Sequence, residues 1–148
     1  KPRPEEKDGV NYHVITETQF QKMVEEDAFA EWAQVYENYY GTPKKEILEG
    51  LAKGKKVLLT LDTQGARSII KKFPDAVLIG ILPPSIKEQE RRIRNRKGLS
   101  EQEIKKRLIS AREERQILMK EYHFRLVNKN LESTVNKIRN IILKKSKI

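Results

Sequence analysis

The fold is decided by residues 57–82, which read VLLTLDTQGARSIIKKFPDAVLIGIL. This stretch holds two short, continuously apolar runs, Val57–Leu61 and Ala76–Leu82, with a helical segment between them. Such runs are typical of strands that are buried on both faces of a parallel sheet, because the connecting helices cover both faces. We therefore predict an α/β fold with a parallel-sheet core.

Upstream of this stretch, the pattern changes to shorter elements. The β-branched and aromatic content of Val10–Ile15 predicts a strand. Thr16 and Gln19 have the spacing of a capping box, which predicts a helix from this point to about Asp27. The apolar face of that helix consists of Phe20, Met23 and Val24.

The next predicted strand covers Phe29–Tyr36, and its alternation places Phe29, Glu31, Ala33 and Val35 on one side. This places the Glu31 carboxylate on the inward side of the strand. The pair Thr42-Pro43 then predicts a helix with a threonine cap and proline at its first position. Gly54 is placed to end this helix after Lys53.

The second half of the chain is predicted to be mainly helical. Two further capping boxes, Ser85 with Glu88 and Ser100 with Glu103, each open a strongly charged helix, and the second helix runs to about Lys120. A last strand is predicted at His123–Val127. One face of a terminal helix is marked by Leu131, Val135, Ile138 and Ile142.

Composition restricts the classes of protein that fit. A chain of 148 residues with 37% apolar side chains can bury one core but not two full domains. The formal net charge of +10 favours an anionic partner of unspecified kind. The absence of cysteine excludes a disulfide framework and fits a cytoplasmic location. No apolar run reaches the roughly 18 residues that span a membrane, so we expect no membrane insertion.

Three motifs carry residue types that suit a purine nucleotide. They are Phe29-Ala-Glu-Trp-Ala33, Asn38-Tyr-Tyr-Gly-Thr-Pro43 and Leu61-Asp-Thr-Gln-Gly-Ala66. A carboxylate accepts hydrogen bonds from the N1–H and exocyclic amine of guanine, whereas tyrosine hydroxyls and an arginine suit a monophosphate. Taken singly, Tyr12 and Tyr39 are better explained by strand packing and Glu31 by solvation. The combination of motifs favours a binding role for Glu31, Tyr40 and Thr42, whereas Trp32 and Tyr39 are expected to be packing residues. Gly41 is expected to form a turn beside the ligand.

In order and spacing, these motifs resemble those of guanylate kinases, and the resemblance covers nearly the whole chain. It implies that Arg3, Tyr12 and Tyr40 hold the phosphate of GMP. It also implies that Glu31, Thr42 and Asp62 contact guanine. One position departs from the family pattern: Thr60 stands where a first aspartate is usual, which removes negative charge expected near Mg²⁺.

The resemblance also assigns a lid and an ATP contact. Arg92, Arg96 and Arg107 match lid arginines that reach the phosphates during catalysis, and the i, i+4 spacing of the first two places them on one side of a helix. A solvated basic face, or a nucleic-acid patch, is the alternative. Lys97 replaces a glycine that is typical of the family. Asn128 matches a residue beside the adenine of ATP, with a capping or turn role as an equal alternative.

A phosphate-cradling loop of the pattern GxxxxGK[ST] does not occur in these residues. We therefore expect a P-loop-type core that lacks its first strand and P-loop, together with a GMP-binding subdomain and a helical lid. The expected division is 1–47 for GMP binding, 48–86 and 119–148 for the core, and 87–118 for the lid. An unpaired sheet edge predicts that the chain is poorly stable on its own. A homo-oligomer or a complementing N-terminal segment would then pair with this edge.

Two functions of different classes remain. The first is a guanylate kinase body that transfers phosphate from ATP to GMP or dGMP with Mg²⁺, and that is inactive alone because it lacks the loop. The second is a catalytically silent scaffold domain that binds phosphopeptides or partner helices in the same cleft. Nucleic-acid binding ranks last, because only 7% of residues are aromatic and none interleaves with the basic run.

Overall fold

The computed structural model describes Gly9 and residues 12–35, 38–96 and 98–145. The chain divides into two compact units, 1–76 and 77–148. The described elements are α1 (Glu17–Glu25), β1 (Phe29–Val35), β2 (Asn38–Pro43), α2 (Lys44–Ala52), α3 (Thr63–Lys72), β3 (Ile79–Leu82), α4 (Ile86–Arg94), α5 (Glu101–Glu121), β4 (Phe124–Val127) and α6 (Leu131–Lys145). Among the helices of these residues, none combines the length and apolar character that crossing a bilayer requires.

The first helix forms as its sequence predicts. The hydroxyl of Thr16 accepts from the backbone N–H of Gln19 at 3.2 Å, and the backbone N–H of Thr16 donates to the Gln19 side chain at 2.9 Å. This reciprocal capping box satisfies two donors that a helix N-terminus otherwise leaves unpaired. The strand predicted for Val10–Ile15 is not formed in its described part, where only Tyr12 has an isolated bridge. Val10 itself lies outside the described residues.

Strands β1 and β2 form an antiparallel ribbon whose register shifts between Phe29 and Glu31. Because of this bulge, the prediction that Phe29 and Glu31 share a face is wrong. The ring of Phe29 stacks on Phe20 and lies on the same face as Trp32. Glu31 and Ala33 are thereby left on the opposite face. A bulge has this effect because the extra residue reverses the side to which the following side chains point.

The Phe20 face of the ribbon is an aromatic cluster. Phe20 stacks on Phe29 with ring centroids 4.6 Å apart and on Tyr39 at 5.3 Å, and it meets the edge of Trp32 at 6.1 Å. The packing roles predicted for Trp32 and Tyr39 agree with these contacts. Gly41 lies within β2 and not in a turn, and a Cβ at this position would be 2.7 Å from the Phe29 ring. Its lack of a side chain therefore serves the aromatic packing.

The opposite side of the first unit holds a small apolar core. Ala30, Ile47 and Ile69 are buried, and Leu59, Leu61, Phe73 and Ala76 pack against them. Val57–Leu61, predicted as a strand buried on both faces, is not assigned to a strand. Leu58 in this run is 73% exposed, so only the side that bears Leu59 and Leu61 is covered.

Helix α2 begins one residue later than its sequence predicts. Pro43 is the N-cap and makes no side-chain capping bond, and Lys44 is the first helical residue. The hydroxyl of Thr42 bonds a carboxylate instead, as described below. The end of the helix agrees with the prediction: Lys53 is the C-cap and Gly54 follows with φ 68°, a conformation that glycine adopts without strain.

In the second unit, β3 and β4 pair in parallel, with Ile79 opposite Phe124 and Leu82 opposite Val127. The predicted strands at Ala76–Leu82 and His123–Val127 are therefore present in shortened form. Gly80 is buried against Leu118, and a Cβ there would lie 2.3 Å from a Leu118 methyl group. The close approach lets α5 lie against the strand.

Of the two capping boxes predicted for the charged helices, one forms completely and the other only in part. Ser100 and Glu103 form a complete capping box at the start of α5. Ser85 accepts from the backbone N–H of Glu88 at 3.0 Å, but the Glu88 carboxylate bonds arginines and not the N-cap. At the terminal helix, Leu131 and Val135 are exposed, while Ile138 and Ile142 of the same predicted face are half-buried.

Candidate functional site

The geometry around Glu31 in the first unit is defined by a short hydrogen bond. Thr42 is the cross-strand partner of Glu31, and its hydroxyl donates to Glu31 Oε1 at 2.5 Å. Tyr40 shares this face, because it lies two residues before Thr42 on the same strand and opposite Ala33. One face of the ribbon thus presents a half-buried carboxylate, a hydroxyl and a phenol, the opposite face being aromatic and apolar.

Asp62 occupies the N-cap of α3. Its carboxylate accepts from the backbone N–H of Gly65 at 2.8 Å, which fixes the side chain at the start of the helix. Gly65 is also the point where α3 approaches Glu31, since a Cβ on this glycine would lie 3.1 Å from Glu31 Oε2 and 3.4 Å from Asp62 Oδ1. The two predicted guanine-contacting carboxylates therefore both lie close to one backbone position.

Tyr12 and Tyr40, both predicted to hold a phosphate, are brought together. Their ring centroids are 5.8 Å apart in an edge-to-face arrangement, and the residues are 49% and 38% exposed. Each ring thus keeps an accessible surface next to the other. Arg3, the third predicted phosphate ligand, lies outside the described residues.

The predicted lid arginines lie in the second unit. Arg92 Nε and Arg91 Nε each donate to the Glu88 carboxylate at 2.7 Å, and these hydrogen bonds lower the pKa of Glu88 to about 2. Helix α4 ends at Arg94, so Arg96 follows the helix and does not share a helical face with Arg92, contrary to the prediction from their i, i+4 spacing. The charge of Arg107, one turn along α5, contributes to a lowered pKa of Glu103, after the larger effect of the Ser100 hydrogen bonds.

Asn128 follows β4 and makes a structural hydrogen bond. Its side-chain oxygen accepts from the hydroxyl of Thr134 at 3.1 Å, and Thr134 is buried. This contact agrees with the turn role weighed in the sequence, although the helix-capping oxygen that bonds the N–H of Ser133 belongs to Asn130.

Sequence reasoning missed a charged cluster at the base of the ribbon. Asp27 has φ 49° and bonds the ammonium of Lys44, while Lys72 donates to the carbonyl of Phe29 at 2.9 Å and lies 3.5 Å from Asp27. The Lys44 hydrogen bond lowers the pKa of Asp27, with Lys72 adding a smaller effect. The cluster joins residues 45 positions apart, so no local pattern could have revealed it.

The fold and sequence of this chain have counterparts among known proteins. The parallel strand pair and its flanking helices place the chain in the mixed α/β class. Within that class, the family model described as guanylate kinase matches residues 1–145. A crystal structure of guanylate kinase from Anaplasma phagocytophilum is similar, with a TM-score of 0.81 and 29% identity, over 98% of this chain and 70% of that one.

The similar curated proteins are also guanylate kinases. Guanylate kinase from Caldanaerobacter subterraneus subsp. tengcongensis is 48% identical over 97% of this chain and 69% of its own length. Guanylate kinase from Rickettsia bellii is 44% identical over 99% of this chain and 76% of its own length. The chain belongs to the guanylate kinase family and is a phosphotransferase of that family.

Proposed function

We propose that this chain binds GMP, or dGMP, as the acceptor of a phosphoryl group from ATP. The observation that carries the proposal is the Thr42–Glu31 hydrogen bond, on the ribbon face that also bears Tyr40 and beside the Asp62 cap. In this arrangement Glu31, Thr42 and Asp62 contact the base, while Tyr12 and Tyr40, with Arg3, bind the phosphate ester.

Guanine selectivity follows from the chemistry of Glu31. A carboxylate only accepts hydrogen bonds, and the N1–H and exocyclic amine of guanine offer two donors side by side. Adenine presents an unprotonated N1 at the same edge, so it would leave a half-buried carboxylate facing an acceptor. Because Thr42 already donates to Oε1, the carboxylate is oriented before the base arrives.

The phosphoryl-transfer step is assigned to the cationic side chains of the second unit. Arg92, Arg96 and Arg107 would stabilise the charge that develops on the transferred group, and Asn128 would contact ATP. Arg92 is paired with Glu88 through Nε, so a phosphate would bind the remaining N–H donors of the guanidinium or displace the carboxylate. Mg²⁺ would neutralise phosphate charge. Within the described ranges no group of three or more His, Cys, Asp or Glu side chains could hold a metal, so we derive no step through it.

These 148 residues contain no GxxxxGK[ST] loop, so we propose that they bind GMP without efficient turnover until a phosphate loop is supplied. The expected subdomains are 1–47 for GMP, 48–86 with 119–148 for the core, and 87–118 for the lid. A complementing N-terminal segment or a homo-oligomer would pair with the open edge of the core sheet.

The proposed location is the cytoplasm, where GMP and ATP occur together. The scaffold alternative is not favoured, because the similar curated proteins are guanylate kinases.

Calorimetric titration with GMP and AMP tests the proposal. We expect GMP to bind selectively, and Glu31→Ala to weaken GMP binding roughly 10- to 100-fold, because the two base donors lose their acceptor. Gln34→Ala is the matched control, since Gln34 is exposed on the other face of the same strand. Equal binding of GMP and AMP, or an unchanged GMP affinity in Glu31→Ala, contradicts the proposal. Tight phosphopeptide binding without GMP binding would establish the scaffold instead.

A further inference from the structure

The contact between α3 and β1 leaves almost no free space beside the Glu31 carboxylate. Gly65 is buried in the first turn of α3, and a Cβ on it would lie 3.1 Å from Glu31 Oε2. That separation is shorter than ordinary carbon–oxygen contact, so the carboxylate would have to shift by a few tenths of an ångström to admit a methyl group.

The carboxylate has little freedom to make that shift. Its other oxygen, Oε1, accepts the 2.5 Å hydrogen bond from Thr42 on the neighbouring strand. Gly65 is equally constrained, because its backbone N–H donates to Asp62 and its helix packs through Ile69 on Ala30. The carboxylate is therefore confined between a hydroxyl on one side and a helix backbone on the other.

Backbone conformation does not explain a glycine at this position. Gly65 lies within α3, where alanine is favoured over glycine by about 1 kcal/mol. A glycine here costs helix stability, and the feature it uniquely provides is the missing Cβ. The space next to Glu31 is the part of its surroundings that a Cβ would fill first.

We propose that Gly65 is a positioning residue for guanine specificity: its missing side chain leaves the slot in which the Glu31 carboxylate is aligned for two donors of the base. This inference rests on the proposed function, since it assigns to Gly65 the placement of the group that recognises GMP. Gly65 acts through Glu31 and need not touch the nucleotide.

The test is a comparison of Gly65→Ala with the unmodified chain in equilibrium titrations with GMP and IMP. IMP keeps the N1–H of the base but lacks the exocyclic amine, so the ratio of the two affinities reports alignment of the carboxylate with both donors. We expect Gly65→Ala to weaken GMP binding roughly 3- to 10-fold and IMP binding less, because small misplacements reduce precise recognition steeply. The preference for GMP over IMP should therefore fall.

A double-mutant cycle connects the effect to Glu31. In a Glu31→Gln background, Gly65→Ala should change GMP affinity by less than twofold, because the aligned acceptor pair is already lost. Ser68→Ala, one turn further along α3, is the control and should leave both affinities unchanged. The helix propensity gained by alanine offsets part of the cost of displacing Glu31, so Gly65→Ala should remain folded, and its thermal midpoint is measured beside the affinities to separate misplacement from unfolding.

The outcomes distinguish failure of the proposed function from failure of the inference about Gly65. If Glu31→Gln leaves GMP affinity unchanged, the proposed function fails and this inference fails with it. If Glu31→Gln weakens binding but Gly65→Ala does not, or if Gly65→Ala lowers GMP and IMP affinity equally in both backgrounds, the inference alone is overturned. A reduced GMP preference that depends on Glu31 supports it.

Discussion

The hydrogen bond from Thr42 determines how the Glu31 carboxylate faces a ligand. A free glutamate samples several rotamers, and binding a base would have to restrict them at an entropic cost. In this chain the hydroxyl donates to Oε1 and Gly65 lies beside Oε2, so much of that restriction is present without ligand. If Glu31 recognises the base as proposed, recognition at the residue scale depends on the orientation of the carboxylate as much as on its presence.

Replacement of the Thr42 hydroxyl tests this orientation. Thr42→Val keeps the shape of the side chain but removes the donor, and we expect GMP affinity to fall roughly 5- to 30-fold, equivalent to about 1–2 kcal/mol. Thr42→Ser retains the hydroxyl and should bind within about threefold of the unmodified chain. Titration calorimetry of both variants checks this; a serine variant as weak as the valine variant would show that the hydroxyl is not the cause.

The motif residues could be predicted from the sequence, but the bond between them could not. Glu31 and Thr42 are 11 positions apart, and their pairing depends on the register of β1 and β2. That register includes a bulge at Phe29/Glu31, which simple alternation does not anticipate. Gly65 is likewise present in a sequence motif, but the role proposed for it depends on the approach of α3 to β1.

At the scale of elements, the ribbon is held to α1 by rings that require a glycine opposite them. Gly41 faces the Phe29 ring, and Phe29 in turn stacks on Phe20. Overfilling such a contact forces rings or strands to move. The aromatic face thereby sets the position of the strand that carries Glu31 on its other side.

Gly41→Ala tests this packing. We expect the free energy of unfolding to fall by about 1–3 kcal/mol, because the new Cβ would overlap the Phe29 ring. Urea denaturation measures the change. In a Phe29→Leu background the smaller side chain should remove most of the additional cost of the alanine. Additive effects of the two substitutions would contradict the proposed overlap.

Helix α4 supplies a prediction about pH. The pKa of Glu88 is lowered to about 2 by hydrogen bonds from Arg91 and Arg92, so this carboxylate stabilises the folded state fully above its ordinary value near 4.5. The contribution is lost as the pH falls from about 4.5 towards 2. Glu88→Gln should therefore lower the thermal midpoint at pH 6 but have little effect at pH 2.

A matched variant controls for net charge. Glu113→Gln removes the same charge from an exposed position of α5, and its effect is subtracted at each pH. Differential scanning calorimetry at pH 6, 4 and 2 provides the comparison. An effect of Glu88→Gln that is equally large at pH 6 and pH 2 would refute the assignment of its stabilisation to the two arginines.

At the scale of the whole molecule, the apolar surface is incompletely covered in the described residues. Leu58 is 73% exposed and Leu131 is 71% exposed, and the core of the first unit centres on three small or medium side chains. We expect such exposure to leave the chain a narrow margin of stability. Any ligand that binds only the folded state should then raise the unfolding temperature visibly.

GMP should act as such a ligand. At a concentration of about 100 times its Kd, it should add about 2.7 kcal/mol to the free energy of unfolding and raise the thermal midpoint, whereas AMP at the same concentration should not. The shift should be much smaller in Glu31→Gln, because GMP binds that variant more weakly. A differential scanning fluorimetry series measures it. Equal shifts with the two nucleotides would indicate binding through the phosphate alone.

Local sequence signals predicted most of the helices and strands. The predictions that were wrong concern features that depend on pairing with distant residues. The capping box at Thr16 and the glycine at 54 are local, and both agree with the structure. Val57–Leu61 has the composition of a strand, but strand pairing depends on neighbours that its own sequence does not specify. The division into subdomains and the roles of the second-unit arginines stay predictions.

The most direct test of the account is a crystal structure of this chain with bound GMP. We expect the Glu31 carboxylate to accept from N1 and the exocyclic amine at about 2.7–3.2 Å, with the phosphate beside Tyr12 and Tyr40. A complex in which GMP binds elsewhere, with Glu31 still bonded to Thr42 but facing solvent, would contradict it.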